Sequence, residues 1–226
     1  MNLPLPPARI RQGGPALADD AYFLESGLTI VGLLRDEAGL EPTSSLLDFG
    51  CGPGRLSVAL IASDWYQGSY VGVDVKQVHV DWCNDQIASR HPSYRFSKMD
   101  AANDRYNPSG LSTRQIPVDS ESRDVVCAWS VFSHMGGEET FDYLREIRRI
   151  LGPGGRAFVT VFVGDDVPPE TENPSWYGSW SGRLHCVLYS TDRISQLITD
   201  AGLMLEKQVS LVDHPQTGLV LGQSTK

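Results

Sequence analysis

The sequence predicts an α/β protein with a Rossmann-like, mostly parallel sheet that carries helices on both faces. Short apolar segments of strand length alternate with segments of helical spacing along residues 44–226. The longest apolar runs, at residues 125–129 and 157–163, have the length and the continuous character of strands buried on both faces. A glycine-rich turn joins the first strand directly to a helix, as is usual at the ligand-binding edge of such sheets.

The first half of the chain supplies the elements in a regular order. Apolar residues at helical spacing, among them Phe23, Leu28 and Val31, predict a helix over residues 20–38, which the segment 42–44 ends. The same criteria applied to the next segments predict strands at 45–49, 70–74 and 94–98 and helices at 55–62 and 75–90.

The second half continues the alternation after an irregular Asn-, Asp-, Pro- and Ser-rich stretch that reaches about residue 122. Glycines at 152, 154 and 155 end a helix, and Gly202 stops another. We expect a long connection over residues 164–188. The elements predicted around it are strands at 124–129, 156–163, 204–211 and 219–221 and helices at 138–151 and 191–201.

Length and composition indicate one domain that covers residues 1–226. The 226 residues are 41% hydrophobic, which is enough for a core, and neither a repeat nor a linker divides them. We interpret residues 1–40 as an N-terminal arm and lid helix and residues 44–226 as the core fold. The net charge of −9 disfavours a nucleic-acid partner, whose backbone requires a basic face, and favours a small-molecule substrate.

The sequence also predicts a cytoplasmic protein that does not contact the membrane. The first residues lack the charged and apolar segments of a secretion signal, and no run approaches the ~20 apolar residues that span a bilayer. Four cysteines, which lack CxxC spacing, are expected to be free thiols rather than zinc ligands: Cys51, Cys83, Cys127 and Cys186.

The densest motif is the run Asp48-Phe49-Gly50-Cys51-Gly52-Pro53-Gly54. Glycines at alternate positions let the backbone turn sharply and approach a ligand closely. A dinucleotide-binding GxGxxG would require glycine at position 55, where Arg55 stands, and the Gly-Lys-Ser/Thr of a phosphate loop does not follow. A ligand-binding turn is favoured, and a purely structural turn stays open.

Two acids follow later strands on the same side of the sheet. Asp74 ends the second strand twenty residues after Gly54, where a carboxylate can accept both hydroxyls of a ribose. Asp100 follows the third strand and is placed to receive the exocyclic amine of a base. A helix N-cap is the alternative role for Asp100.

Together these motifs resemble the class I S-adenosylmethionine-dependent methyltransferases. The segments Asp48 to Gly54, Val71 to Asp74, Met99-Asp100, Ala128-Trp129-Ser130 and Leu151 to Gly155 occur in the family's order. The resemblance implies a seven-stranded sheet with an antiparallel last strand and bound S-adenosylmethionine. No metal is predicted, because the fourth strand does not end in the aspartate of the metal-dependent catechol-type enzymes. The cofactor-binding residues that it implies are Asp48, Gly50, Cys51, Gly52, Gly54, Asp74, Val75, Asp100, Ala101 and Trp129.

The segment after the fourth strand separates the substrate classes of this family. It lacks the Pro-Pro-aromatic signature of base amino-methylases, and Cys127 lies in an apolar strand rather than in a nucleophile's position. Glu138 and Glu139 are adjacent, as acids in a helix's first turn, and do not bracket a loop as in protein-arginine methyltransferases. The segment that contains His134 is similar instead to that of bacterial small-molecule and sugar methyltransferases. His134 is therefore the candidate general base, and a backbone contact that holds the loop is its alternative role.

Two further regions are candidates for the acceptor pocket. Residues 103–110 contain Tyr106, and a second region after the fifth strand contains Trp176, Tyr177, Trp180, Arg183 and His185. Their aromatic rings could stack on an acceptor or could anchor the loop to the domain. His185 is a second candidate base, and the helix with Tyr22 and Phe23 is a candidate lid.

We therefore expect a methyltransferase that acts on a hydroxyl of a small molecule, such as a sugar or natural product. An S-adenosylmethionine-binding regulatory or partner protein without transferase activity is the alternative. A nicotinamide-linked oxidoreductase is disfavoured by Arg55, and a homodimer is left open.

Overall fold

A computed structural model describes residues 3–103, 105–111, 113–212 and 214–224; Met1, Asn2, Asp104, Ser112, Asp213, Thr225 and Lys226 lie outside these ranges. The strands are β1 (Leu46–Phe49), β2 (Tyr70–Asp74), β3 (Tyr94–Lys98), β4 (Arg123–Ala128), β5 (Leu151–Gly164), β6 (Glu170–Glu172), β7 (Val187–Ser190), β8 (Leu203–Ser210) and β9 (Thr217–Gln223). The helices are α1 (Asp20–Ala38), α2 (Arg55–Ser63), α3 (Gln77–Cys83), α4 (Gly137–Ile150) and α5 (Thr191–Asp200).

The sheet is mostly parallel, as the sequence predicts, and has helices on both faces. Strands β3, β2, β1, β4 and β5 are neighbours in that order and run parallel. Strand β9 is antiparallel to β5 over Arg156 to Val161, and β8 is antiparallel to β9 on its other side. The fold class and the reversed last strand expected from the sequence are therefore confirmed.

The strand count differs from the expected seven. Strand β5 continues past Val161, and its residues 162–164 pair with β7, which in turn pairs with β6. Both added strands lie in the connection where we expected none. Val187, Leu188 and Tyr189 are fully buried, and the free edge of β5 offers them backbone partners that the sequence pattern alone does not reveal.

The end of α3 and the start of β5 are also corrected. Helix α3 ends at Cys83 and passes into a wider π-type turn over Asn84–Ala88, instead of continuing to residue 90. Strand β5 begins at Leu151, which pairs with Arg123, so the glycines after α4 lie within the strand. The N-terminal arm contains 3-10 turns at Ala8–Ile10 and Pro15–Ala18.

The core lies on both faces of the sheet. Adjacent strand residues point to opposite faces, so Leu46 packs against α1, α2 and α3 while Leu47 packs against the layer of α4 and α5. In the same way, Val125 packs on the face of α1, α2 and α3, and Val126 packs on the face of α4 and α5. This two-sided burial explains the continuous apolar runs in the strands. In the described ranges, no helix has the length and apolar character needed to cross a membrane.

Helix α1 packs across α2 at a glycine. A Cβ atom at Gly27 would lie 2.7 Å from the Arg55 carbonyl oxygen and 2.8 Å from the Ala59 Cβ atom. Gly32 of the same helix has no neighbour within 4 Å of such an atom. The close approach of α1 to the start of α2 therefore depends on Gly27.

Replacing these two glycines by alanine is expected to have opposite effects. Gly32→Ala should raise the free energy of unfolding by roughly 0.5–1 kcal/mol, because alanine has the better helix propensity. Gly27→Ala should lower it by about 1–3 kcal/mol, because a backbone carbonyl cannot move aside. Urea denaturation of both variants measures the difference. Equal stabilisation would show that α1 does not pack closely at Gly27.

Candidate functional site

A cleft of about 210 Å³ lies at the carboxyl ends of β1, β2 and β4. The N-terminal arm closes one side of it through Gln12 and Gly13, and α1 contributes Phe23. The structure brings these sequence-predicted residues together on its walls: Gly50, Cys51, Gly52, Asp74, Val75, Ala101, Tyr106, Trp129 and His134.

Two glycines of the loop after β1 cannot be replaced without backbone strain and a steric clash. Gly50 has φ +78°, and a Cβ atom there would lie 2.5 Å from a methyl carbon of Val131. Gly54 has φ +84° and caps α2, where a Cβ atom would lie 2.9 Å from the Ser57 hydroxyl. Gly54 is not on the cleft wall, so it shapes the turn while Gly50 and Gly52 form the surface.

Asp74 is held at the cleft by three neighbouring groups. The Gly52 amide donates to Oδ2 at 2.9 Å, and the Lys76 amide donates to Oδ1 at 2.8 Å. His79 Nδ1 lies 3.2 Å from Oδ1, and its Nε2–H donates to the Ile10 carbonyl at 3.1 Å. The buried His79 thus connects the N-terminal arm to Asp74. Its helical sequence context gave no sign of this role.

Asp48 lies beneath the loop and not on the cleft wall. Its carboxylate is buried and accepts a 2.5 Å hydrogen bond from the Tyr70 hydroxyl. Burial is the main cause that raises the pKa of Asp48 to about 7, and the Tyr70 hydrogen bond and Arg55 oppose the rise. This acid supports the loop from below.

Asp100 also lies outside the cleft lining. It is exposed and accepts a hydrogen bond from the Asn107 side chain at 3.1 Å, which lowers its pKa. Its neighbours Met99 and Ala101 do line the cleft. Residue alternation after the strand therefore turns the Asp100 side chain away from the cavity while its flanking residues face it.

His134 lies on the cleft wall with a defined tautomer. Its Nδ1 lies 3.0 Å from the Leu184 carbonyl, which can only accept, so Nδ1 carries the hydrogen. Burial lowers the pKa of His134 to about 4, and the ring is therefore neutral near pH 7 with an unprotonated Nε2. The backbone contact considered as an alternative is present and uses only one ring nitrogen.

The loop that carries the other predicted acceptor residues packs on the domain beside the cleft. The Trp180 indole donates to the Pro174 carbonyl at 2.9 Å and packs against Phe162, and the Tyr177 hydroxyl donates to the Pro215 carbonyl at 3.0 Å. These contacts favour the alternative that the aromatics anchor the loop. The residues of this region that are absent from the cleft lining are Trp176, Tyr177, Trp180, Arg183 and His185.

Several lining residues were given no site role by the sequence analysis, among them Arg55, Glu139, Tyr143 and His214. Arg55 was noted only as a missing glycine, and Glu139 as an acid in a helix's first turn. Glu139 and Tyr143 are four residues apart on α4 and both line the cleft, a spacing that could have identified them together. His214 lies in the segment before β9, whose path the sequence does not indicate.

The buried Asp48 predicts a specific pH dependence of stability. Its folded pKa lies above its ordinary value of 3.8, so the folded protein binds the extra proton between about pH 4 and pH 7. The free energy of unfolding should therefore fall as the pH rises through this interval. Asp48→Asn keeps a hydrogen-bond acceptor for Tyr70 but has no group that titrates. It should therefore remove this decline in the free energy of unfolding, which amounts to up to about 4 kcal/mol.

Denaturation curves collected from pH 4 to pH 8 measure this effect. Asp100→Asn is the matched control, because its exposed carboxyl has a lowered pKa and should not cause a decline over that range. Parallel stability profiles for the native protein and Asp48→Asn would contradict the assignment.

Comparison with known proteins places this fold in a family. A family model described as a methyltransferase domain matches residues 22–208. Cyclopropane mycolic acid synthase MmaA2 of Mycobacterium tuberculosis is 26% identical over 147 residues, which are 65% of this chain and 46% of that protein. The chain thus spans about half the length of this curated relative.

Two solved structures share the architecture. The PH0226 protein from Pyrococcus horikoshii OT3 has a TM-score of 0.67 at 16% identity, with coverage of 96% of this chain and 97% of that one. The 1,6-didemethyltoxoflavin-N1-methyltransferase of Burkholderia thailandensis has a TM-score of 0.60 at 16% identity, with coverage of 91% and 80%. At these identities the likeness shows a shared fold.

The residues of the cleft fit the cofactor of this family. The backbone of Gly50 and Gly52 lines the cleft, Asp74 offers a carboxylate held by the Gly52 amide, and Val75 and Ala101 form an apolar wall. With the family match over residues 22–208, the chain belongs to the class I S-adenosylmethionine-dependent methyltransferases, and S-adenosylmethionine is its cofactor.

Proposed function

We propose that this protein transfers a methyl group to a hydroxyl of a small molecule, such as a sugar or a natural product, with His134 as the general base. The observation that carries the proposal is the tautomer of His134. Its Nδ1–H is committed to the Leu184 carbonyl, and Nε2 is left with its lone pair on a residue of the cleft wall.

The cofactor is held by the residues around the glycine loop. In this proposal Asp74 would accept the ribose hydroxyls and Val75 and Ala101 would pack against the adenine. The backbone of Gly50, Cys51 and Gly52 would hold the remainder together with Trp129, since all of these residues line the cleft. Asp48 and Gly54 act indirectly by holding the loop in shape. Asp100, whose side chain is exposed, is absent from the cleft lining and is given no cofactor contact in this proposal.

The bound cofactor supplies a methyl group on a sulfonium, whose thioether is an excellent leaving group. His134 Nε2 would accept the proton of the acceptor hydroxyl as the acceptor oxygen bonds to the methyl carbon and the bond between that carbon and the sulfur breaks. Alignment of the acceptor supplies most of the acceleration, so a weak but always available base is sufficient. Burial keeps His134 in this unprotonated state.

The acceptor lies between His134 and α4. Tyr106 packs edge-on against His134 with ring centroids 5.4 Å apart, and Asn103 donates to the His134 carbonyl at 3.2 Å, which holds the segment in place. On the other side, Glu139 pairs with Arg114 at 3.0 Å. The loop residues Trp176, Tyr177, Trp180, Arg183 and His185 would contact only an acceptor that extends beyond the cleft.

Two substitutions of His134 separate catalysis from anchoring. His134→Asn keeps an N–H donor for the Leu184 carbonyl but has no base, whereas His134→Ala removes both functions. We expect both variants to lower kcat by about 10²–10⁴-fold and to retain the affinity for S-adenosylhomocysteine. Transfer of a labelled methyl group from S-adenosylmethionine to a panel of sugars, phenols and other hydroxyl compounds provides the assay.

His91→Asn, which changes a histidine before β3 and outside the cleft lining, is the control and should retain full activity. Full activity of His134→Asn with loss in His134→Ala would mean that the ring only anchors the loop. Cofactor binding without transfer to any acceptor class would favour the alternative of a regulatory or partner protein.

The pH profile gives an independent check of the base. Because the pKa of His134 is lowered to about 4, the neutral form prevails at all pH values above about 5. We expect kcat/KM to be constant from about pH 5.5 to pH 8, with an acid limb only near pH 4. An acid limb centred near pH 6.5 that disappears in His134→Asn would contradict a buried, neutral base.

A further inference from the structure

Arg55 is a cation on the cleft wall that the proposed reaction leaves unused. It is the first residue of α2, is half-buried and lies beneath α1. Its guanidinium carbon is 5.9 Å from the centroid of the Trp129 ring. Among the described residues, the guanidinium has no hydrogen-bond or ion-pair partner.

The groups around Arg55 do not neutralise its charge. Asp48 attracts it at longer range, but that carboxylate accepts the Tyr70 hydrogen bond, and burial raises its pKa to about 7. His214 Nδ1 accepts from the Gln216 amide at 3.3 Å, and burial and Arg55 lower the pKa of this ring, so it is neutral. A partly desolvated guanidinium without an anion is unfavourable.

The position of Arg55 in the cleft indicates which anion its guanidinium would bind. Asp74, Val75 and Ala101 occupy the ribose and adenine side, whereas Arg55 belongs with Trp129 and His214 at the end of β4. The only carboxylate of S-adenosylmethionine is on its amino-acid portion, at the opposite end from the adenine. We propose that Arg55 binds this carboxylate and thereby fixes the amino-acid end of the cofactor.

The second cation of the cleft is not equivalent. The Lys76 amide donates to Asp74, and its Nζ lies 5.1 Å from the centroid of the Tyr106 ring, on the ribose side. A guanidinium also presents two parallel N–H groups that match a carboxylate, which an ammonium does not. The proposal depends on the cofactor alone and is independent of which acceptor the protein methylates.

Calorimetry with two ligands tests the contact directly. S-adenosylhomocysteine carries the carboxylate, and its decarboxylated analogue keeps the adenosine, the sulfur and the amine. Arg55→Gln should weaken the binding of S-adenosylhomocysteine by about 10–100-fold, as expected for the loss of a charge-assisted pair. The same variant should bind the decarboxylated analogue at least as well as the native protein does. Arg55→Lys should restore part of the loss.

Asp74→Asn is the matched comparison, because both ligands carry the ribose and both should be weakened by a similar factor. Equal weakening of the two ligands by Arg55→Gln would overturn the proposal, since it would indicate a change in the loop rather than a lost contact. Unchanged binding of both ligands would overturn it as well. Because no acceptor is present, these outcomes do not depend on the proposed hydroxyl transfer.

Discussion

The hydrogen bonds made by the Asp74 carboxylate are the constraint on which the rest of the site depends. One oxygen receives the Gly52 amide, which ties the glycine loop to the end of β2. The other receives the Lys76 amide and lies next to His79, which extends the connection to the Ile10 carbonyl. The loop, the start of α3 and the N-terminal arm are thus positioned relative to one carboxylate.

A second carboxylate, that of Asp48, supports the same glycine loop from beneath, and its environment gives it a different role. Asp48 is buried against Tyr70, so its pKa is raised, whereas Asp74 faces the cleft and is surrounded by donors. Two acids on neighbouring strands therefore have different roles: Asp48 supports the backbone of the loop, and Asp74 faces the cleft. Environment, rather than residue type, decides which of them can take part in recognition.

The sequence predicted what depends on local pattern. The bounds of α1, the mostly parallel character of the sheet and the cluster at Gly50, Gly52 and Asp74 follow from periodicity, glycine spacing and strand ends. It could not predict β6 and β7, because their pairing depends on the free edge of β5 far along the chain. The sequence could not predict that the Arg55 side chain reaches the cleft either, because its exposure there depends on the path of α1 above it.

The charges of the cleft follow the needs of a cationic cofactor. A protonated histidine beside a sulfonium would oppose its binding, and burial together with Arg105 keeps His134 neutral. The permanent cation, Arg55, lies instead at the end of β4, against Trp129. In the proposed arrangement, the neutral base would lie near the acceptor and the cation near a carboxylate, which would avoid repulsion at the sulfur without removing either group. The burial that weakens His134 as a base would then also allow it to lie next to the methyl donor.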